Sequence, residues 1–270
     1  MLKLGTYEAW FNGETIVPGE TLEERLDNLE EWGYQGIQLW RGTLELGWPA
    51  IKRALKNSPV ELCIAGGGKG LLAASQEERN AAVEQIVEGL RIAAEVGAVG
   101  SIVVPVRVRP EIAPPEPPQT LHELEFEILV EGLSQIMPTA EAVGVPVILE
   151  PLNRYETHLM QRLEQGAEVC RAVGSAGCKI MADFFHMNIE EVDIGQAIED
   201  AAEHIAYVHL ADSNRFQPGA GHLDFEPGLA ALKHIGYEGF MTLECRVMGE
   251  DKGQALIDSA RYVREIWERV

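Results

Sequence analysis

The run VPVILE, Val145–Glu150, is a short block of β-branched and aliphatic residues that closes on a carboxylate. Its length and composition suit a strand buried on both faces, as in a parallel sheet. CKIMAD (Cys178–Asp183), AYVHL (Ala206–Leu210) and GFMTLE (Gly239–Glu244) repeat the pattern at roughly even intervals, and they bring Asp183, His209 and Glu244 to or beside a strand end. In a barrel of parallel strands every C-terminal end opens on one mouth, so residues far apart in the chain can meet there around one small site. The pattern therefore predicts a metal enzyme in which Glu150, Asp183, His209 and Glu244 share a single divalent ion.

Outward from these runs, strand-like and helix-like segments alternate from end to end. Strands are expected near Leu2–Tyr7, Gly36–Trp40, Val60–Ile64, Ser101–Pro105, Val145–Glu150, Lys179–Asp183, Ala206–Leu210 and Phe240–Glu244, and eight is the barrel number. Thr21–Trp32, Gln76–Val96, Leu121–Val143 and Gln254–Glu268 carry apolar residues at three- and four-residue spacing and read as amphipathic helices. Thr21 followed by Glu24 has the capping-box pattern, and Gly33, Gly97 and Gly144 fall where helices should stop. The expected fold is α/β, a single (β/α)8 TIM barrel over residues 1–270. A doubly wound open sheet shows the same alternation, but no G-x-G-x-x-G follows the first strand, so that fold would lack its phosphate turn.

The 270 residues are 46% hydrophobic, enough for one large α/β domain. With 22 Lys plus Arg against 43 Asp plus Glu, the net charge of −21 repels polyanions and argues against a nucleic-acid partner. MLKLGTYEAW has no basic stretch leading into an apolar one, and nowhere do about 18 apolar residues run together, so a membrane partner is not expected and a cytoplasmic protein is. Cys63, Cys170, Cys178 and Cys245 form no CxxC pair. Reduced cysteines acting as small hydrophobes are expected there, rather than a disulfide.

Two segments break the rhythm. VRVRPEIAPPEPPQT, Val106–Thr120, is too rich in proline for a helix or central strand and reads as a surface loop over the mouth, a candidate lid. GGGKG, Gly66–Gly70, is either a plain flexible loop or, with Lys69, a cradle of backbone N–H groups for a phosphate; it lacks the Walker spacing.

Three carboxylates and one imidazole suit Mn²⁺, with Mg²⁺ or Co²⁺ as alternatives, and suit Zn²⁺ less. Taken singly, a strand-end carboxylate is as readily a helix cap or surface ion pair, and His209 a satisfied core histidine. Four successive strands ending on ligand-type residues would need four independent accidents at one mouth.

EPLNRYETHLM (Glu150–Met160), ADFFHMNIEE (Ala182–Glu191), HLADSNRFQPGAGHLDF (His209–Phe225) and TLE (Thr242–Glu244) resemble the ketose 3-epimerases of the D-tagatose and D-psicose group, within the xylose-isomerase-like barrel superfamily. The likeness covers roughly residues 140–245. It implies that Glu150, Asp183, His209 and Glu244 hold the metal and that Glu156, His186 and Arg215 contact the carbonyl end of the sugar. It also implies a dimer or tetramer. Epimerisation at C3 of a ketose removes a proton next to the C2 carbonyl and returns it on the other face through an enediolate, stabilised by a Lewis-acidic metal. Glu150 and Glu244 would be the two acid/base groups. One departure is that Cys245 and Arg246 follow Glu244, where the family usually has Pro and an aromatic residue. Arg246, with Arg107, Arg109 and Lys69, could therefore bind an anionic substrate end or form rim ion pairs. His222 reads as a loop residue near the mouth.

Aldose–ketose or hydroxypyruvate-type isomerisation uses the same chemistry. An endonuclease IV-type phosphodiesterase needs more histidines and a cationic path for DNA. A non-catalytic sugar-binding barrel would have little use for both candidate bases.

Overall fold

In the computed structural model, which describes residues 2–270, eight parallel strands curl into one sheet: β1 (Lys3–Tyr7), β2 (Gly36–Gln38), β3 (Glu61–Leu62), β4 (Ser101–Val103), β5 (Val147–Leu149), β6 (Cys178–Asp183), β7 (Ile205–Leu210) and β8 (Phe240–Leu243). Their spatial order is β3-β2-β1-β8-β7-β6-β5-β4, so the first and last strands of the chain lie side by side. The outer strands meet through isolated parallel bridges, Ile64 with Gly100 and Gly68 with Val103. Hydrogen bonds from Val99 N to Cys63 O (3.0 Å) and from Ala65 N to Gly100 O (3.2 Å) complete this seam. The expected barrel is present and the open doubly wound sheet is not.

Helices α1 (Leu22–Glu31), α2 (Trp48–Lys56), α3 (Gln76–Val96), α4 (Leu121–Val143), α5 (Leu163–Val173), α6 (Phe184–Glu190), α7 (Ile194–Asp200), α8 (Glu226–His234) and α9 (Lys252–Arg269) are placed between and after the strands. Their ends follow the chemistry of their sequence. Thr21 accepts a hydrogen bond from Glu24 N (3.2 Å), Ser75 with Glu78 and Thr120 with Glu123 form reciprocal capping boxes, and Gly97 and Gly144 end α3 and α4 in the left-handed conformation.

Strand periodicity positions the site. Cys63, Ile64, Ile148, Met181, Tyr207 and Phe240 form a small apolar cluster, separate from the larger core that holds Val147, Leu149, Ile180, Ala182, Val208, Met241 and Leu243 with the helices. Side chains alternate along a strand. Two residues beyond Ile148, Met181 and Tyr207, and four beyond Phe240, the same inward face presents Glu150, Asp183, His209 and Glu244. Gln38, at the end of β2, stands at the same level, within reach of the His209 ring.

Six of the eight strands pair over fewer residues than expected, all but β6 and β7, and at two of them the cause is plain. Pro146 lacks an N–H, so regular pairing of β5 begins at Val147, and β3 keeps only Glu61–Leu62 because its continuation makes single bridges at the seam. Residues 106–120 carry neither helix nor strand, as the proline content predicts, and Val108 N donates to Glu156 O at 2.8 Å, which ties that loop to the mouth.

Candidate metal centre and active site

Glu150, Asp183, His209 and Glu244 are all buried, and each offers one ligand atom within 4.8 Å of the others. His209 Nδ1 lies 3.4 Å from Glu244 Oε2, 3.5 Å from Asp183 Oδ2 and 3.8 Å from Glu150 Oε1. On its other side, His209 Nε2 is 3.2 Å from Gln38 Oε1. An amide oxygen only accepts, so Nε2 carries the proton and Nδ1 turns a lone pair toward the carboxylates. The Gln38 side chain is oriented in turn by the Tyr207 hydroxyl, 3.0 Å from Oε1. Among the described residues, His209 Nδ1 is buried with no hydrogen-bond partner. An unpartnered lone pair among three buried carboxylates is costly unless a proton or a cation fills the gap, so the donor set fits a divalent ion. Burial alone would lower the imidazole pKa, but the surrounding carboxylates, Glu244 first, raise it well above the ordinary value.

Asp183 joins the centre to α6. Its Oδ1 accepts hydrogen bonds from Phe185 N (2.8 Å) and His186 N (3.2 Å), so it caps that helix while Oδ2 faces His209. Arg215 neutralises the cluster from the opposite side. Its Nη1 is 3.1 Å from both Asp183 oxygens, its Nη2 pairs with Glu244 Oε2, and its guanidinium stacks 4.5 Å from the Phe185 ring centroid. Burial pushes both acids up. For Asp183 it is outweighed by Arg215, His186 and His209, and for Glu244 by His209 and Arg215, so both sit below the ordinary carboxylate range. Arg215 reaches this position with φ at +62°, a strained value for a side chain of its size. The turn is held by Asp212, whose carboxylate accepts from the backbone N–H groups of Ser213 (2.7 Å), Leu223 (3.0 Å) and Gly219 (3.0 Å).

His186 and Glu156 meet through Asn153. Asn153 N donates to His186 Nδ1 (3.1 Å), which leaves the His186 Nε2–H pointing toward the centre, 3.8 Å from Asp183 Oδ2. Asn153 Nδ2 donates to Glu156 Oε1 (3.2 Å), and Arg107 Nη1 donates to Glu156 Oε2 (3.1 Å). The cavity here has two lobes. One of about 270 Å³ is bordered by Glu156, His186 and Arg215; the other, of about 240 Å³, is bordered by Tyr7, Gln38, Trp48 and Gly66–Gly68. Glu150, Glu244, Arg107 and Phe11 border both.

All seven residues singled out in the sequence thus gather at one mouth. The anion-binding group does not. Arg107 lines the lobes but is paired with Glu156, and Lys69, Arg109 and Arg246 lie outside their walls. Arg246 pairs instead with Glu14 (3.5 Å) and stacks on Phe216. Gly68 N is spent on Ile102 O (3.3 Å), so the glycine loop is pinned to β4 rather than free to cradle a phosphate. His222 lies outside both lobes, its backbone N donating to Ser213 Oγ. Gln38, Asn153, Tyr7 and Phe11 escaped the sequence reading. Gln38 carried the one available signal, a polar residue near the end of an apolar strand.

A family model described as "Xylose isomerase-like TIM barrel" matches residues 26–266. The 3-dehydro-D-guloside 4-epimerase of Escherichia coli (strain K12) is 32% identical over 97% of this chain and 99% of its own length. The D-psicose 3-epimerase of Ruminiclostridium cellulolyticum is 38% identical over 44% of this chain and 41% of its own. The crystal structure of a 3-keto-D-glucoside 4-epimerase from E. coli superposes with a TM-score of 0.85 at 28% identity, covering 98% of this chain and all of that one. The chain belongs to the xylose isomerase-like TIM barrel family, and within it to the carbohydrate epimerases.

Proposed function

We propose that this protein is a divalent-metal sugar epimerase that inverts the carbinol carbon beside a ketone through a cis-enediolate, with Glu150 and Glu244 as the two proton-transfer groups. One observation carries this reading: both carboxylates flank the same His209 nitrogen, at 3.8 and 3.4 Å, and both border the two lobes of one cavity. A substrate lying across that junction meets a carboxylate on each side. One glutamate takes the proton from carbon, leaving the electron pair in the enediolate, and the other, as a carboxylic acid, returns a proton to the opposite face. The hand of the substrate sets which does which. The Nε2–H of His186 and the guanidinium of Arg215 are placed to donate hydrogen bonds to substrate oxygens as negative charge develops there. Glu156 positions His186 through Asn153. When bound by Glu150, Asp183, His209 and Glu244, a divalent ion, Mn²⁺ by preference, supplies Lewis-acid stabilisation of that charge.

The same machinery serves C3 of a 2-ketose and C4 of a 3-keto-glycoside, since both are carbinol carbons next to a ketone. The motifs of residues 150–244 support the ketose, and the relative matched over almost its whole length supports the keto-glycoside. The rest of the reading is a single barrel domain acting in the cytoplasm as a dimer or tetramer. Free ketoses, phosphorylated ketoses and 3-keto-glycosides incubated with the Mn²⁺-loaded protein in deuterated water test it. One neutral class should take up solvent deuterium at the inverted carbon. Glu150→Gln and Glu244→Gln should each lower turnover by roughly 10²–10⁴-fold, in line with the loss of general acid–base catalysis, while metal still binds. Near wild-type epimerisation by both variants would overturn the two-glutamate assignment.

A further inference from the structure

Residues 9–15 form a small hairpin, closed by the Ala9–Thr15 bridge and by Trp10 N donating to Glu14 O (2.8 Å). Phe11, near its tip, faces the metal-centre cavity. Its other side, at Ala9, Gly13 and Thr15, borders a second cavity of about 500 Å³ between the start of α1 and the face of α2. The proposed reaction makes no use of that space, whose volume lies in the range of small-molecule sites.

Two residues that line it each carry a buried polar atom that lacks a partner among the described residues. Glu8 is 1% exposed; its Oε1 accepts from Thr43 Oγ1 and lies 3.6 Å from Arg25 Nη1, but among the described residues its Oε2 has no partner. Trp40 Nε1 is likewise buried and unpartnered among the described residues. A carboxylate oxygen needs a donor and an indole N–H needs an acceptor. A hydroxyl offers both, whereas a simple cation or anion answers only one of the two. The charges narrow the choice further. Glu8, Glu20 and Glu23 face one arginine, Arg25, whose Nε already donates to Gly19 O (3.1 Å) and whose Nη2 donates to Glu20 O (3.4 Å). Anions are therefore repelled. The Trp40 ring lies close against Gly13 and supplies a flat apolar wall with a polar edge, the kind of surface that takes the C–H face of a sugar.

We propose that this cavity is a second carbohydrate site, separate from the metal centre, which takes a neutral, hydroxyl-rich molecule of monosaccharide size. The proposal does not depend on the catalytic reading. Fluorine NMR of the full chain, Mg²⁺-loaded and labelled with 5-fluorotryptophan, tests it, with sorbitol as a polyol that has no carbonyl to react. Trp40 reports this cavity and Trp48 the metal-centre cavity, their signals assigned with Trp40→Phe and Trp48→Phe. The Trp40 signal should move saturably with sorbitol and stay in place with equal concentrations of inorganic phosphate or tetramethylammonium. Ala50→Leu, which fills the space from α2, and the near-isosteric Glu8→Gln should each weaken the response by about tenfold or more. A stationary Trp40 overturns the proposal, whether or not Trp48 moves. So does an equal response to phosphate or tetramethylammonium, or an undiminished response in both folded variants.

Discussion

His209 can turn Nδ1 toward the three carboxylates only while Nε2 keeps its proton, and Gln38 Oε1, 3.2 Å away, is the acceptor that keeps it there. Gln38→Leu should therefore weaken Mn²⁺ binding by about 10–100-fold in a chelator competition, while Gln38→Glu, which keeps an acceptor, should hold it close to wild type. Unchanged affinity in Gln38→Leu would mean that packing alone orients the ring. Asp212 does comparable work for Arg215. Burial pushes its carboxyl up, but the backbone N–H groups of Leu223, Ser213, Gly221 and Gly219 outweigh that and hold it below the ordinary value. The folded pKa thus lies under the unfolded one of about 3.9, so the stabilisation is complete above that value and is lost as pH falls through the folded one. Asp212→Asn should cost about 1–3 kcal/mol in urea denaturation at pH 7, with the difference from wild type shrinking below about pH 4. A pH-independent difference would place its contribution elsewhere.

Among the elements, the loop after β3 is held by shape. Gly66 sits at φ +70°, and a Cβ there would stand 2.7 Å from the backbone of Gly89 on α3. Gly66→Ala should lower stability by about 1–3 kcal/mol, measured by denaturant titration, and a neutral result would mean that α3 can shift away. This close approach accounts for the glycine run better than a phosphate does. Apolar runs and capping residues made the strands and the ends of α1, α3 and α4 legible, because both signals are local. The four ligand-type residues were legible because strand period and barrel convergence are general rules. Gln38, Asn153 and the Glu14 pairing of Arg246 were not, because each partner lies far away in sequence: 171 residues separate Gln38 from His209, and 232 separate Arg246 from Glu14. The strand signal also overreached at β3, where Val60–Ile64 reads as five strand residues but only Glu61–Leu62 pair regularly. Nothing in that run reveals that its far neighbour is a seam.

Over the whole molecule, the charge of −21 acts on any substrate that approaches the mouth. A phosphorylated sugar should gain in kcat/KM as salt is raised from low ionic strength to about 0.15 M, where the Debye length is about 8 Å, while a neutral sugar should be nearly indifferent. Equal salt dependence would mean that the field at the mouth is locally cancelled. The seam between β3 and β4 bears on how a sugar enters at all. β6, β7 and β8 are paired by ladders, unbroken toward the mouth after a bulge between Ile180 and Met181, such as Asp183 beside His209 and His209 beside Thr242, whereas the seam rests on single bridges at Ile64 and Gly68. Amide protons at Ala65 and Val99 should then exchange with deuterated solvent through local opening, and those of Val208 and Leu243 only on global unfolding. The barrel is free to dilate along one line while the strands that carry Asp183, His209 and Glu244 keep their spacing, so breathing at the mouth need not disturb the grip on the ion.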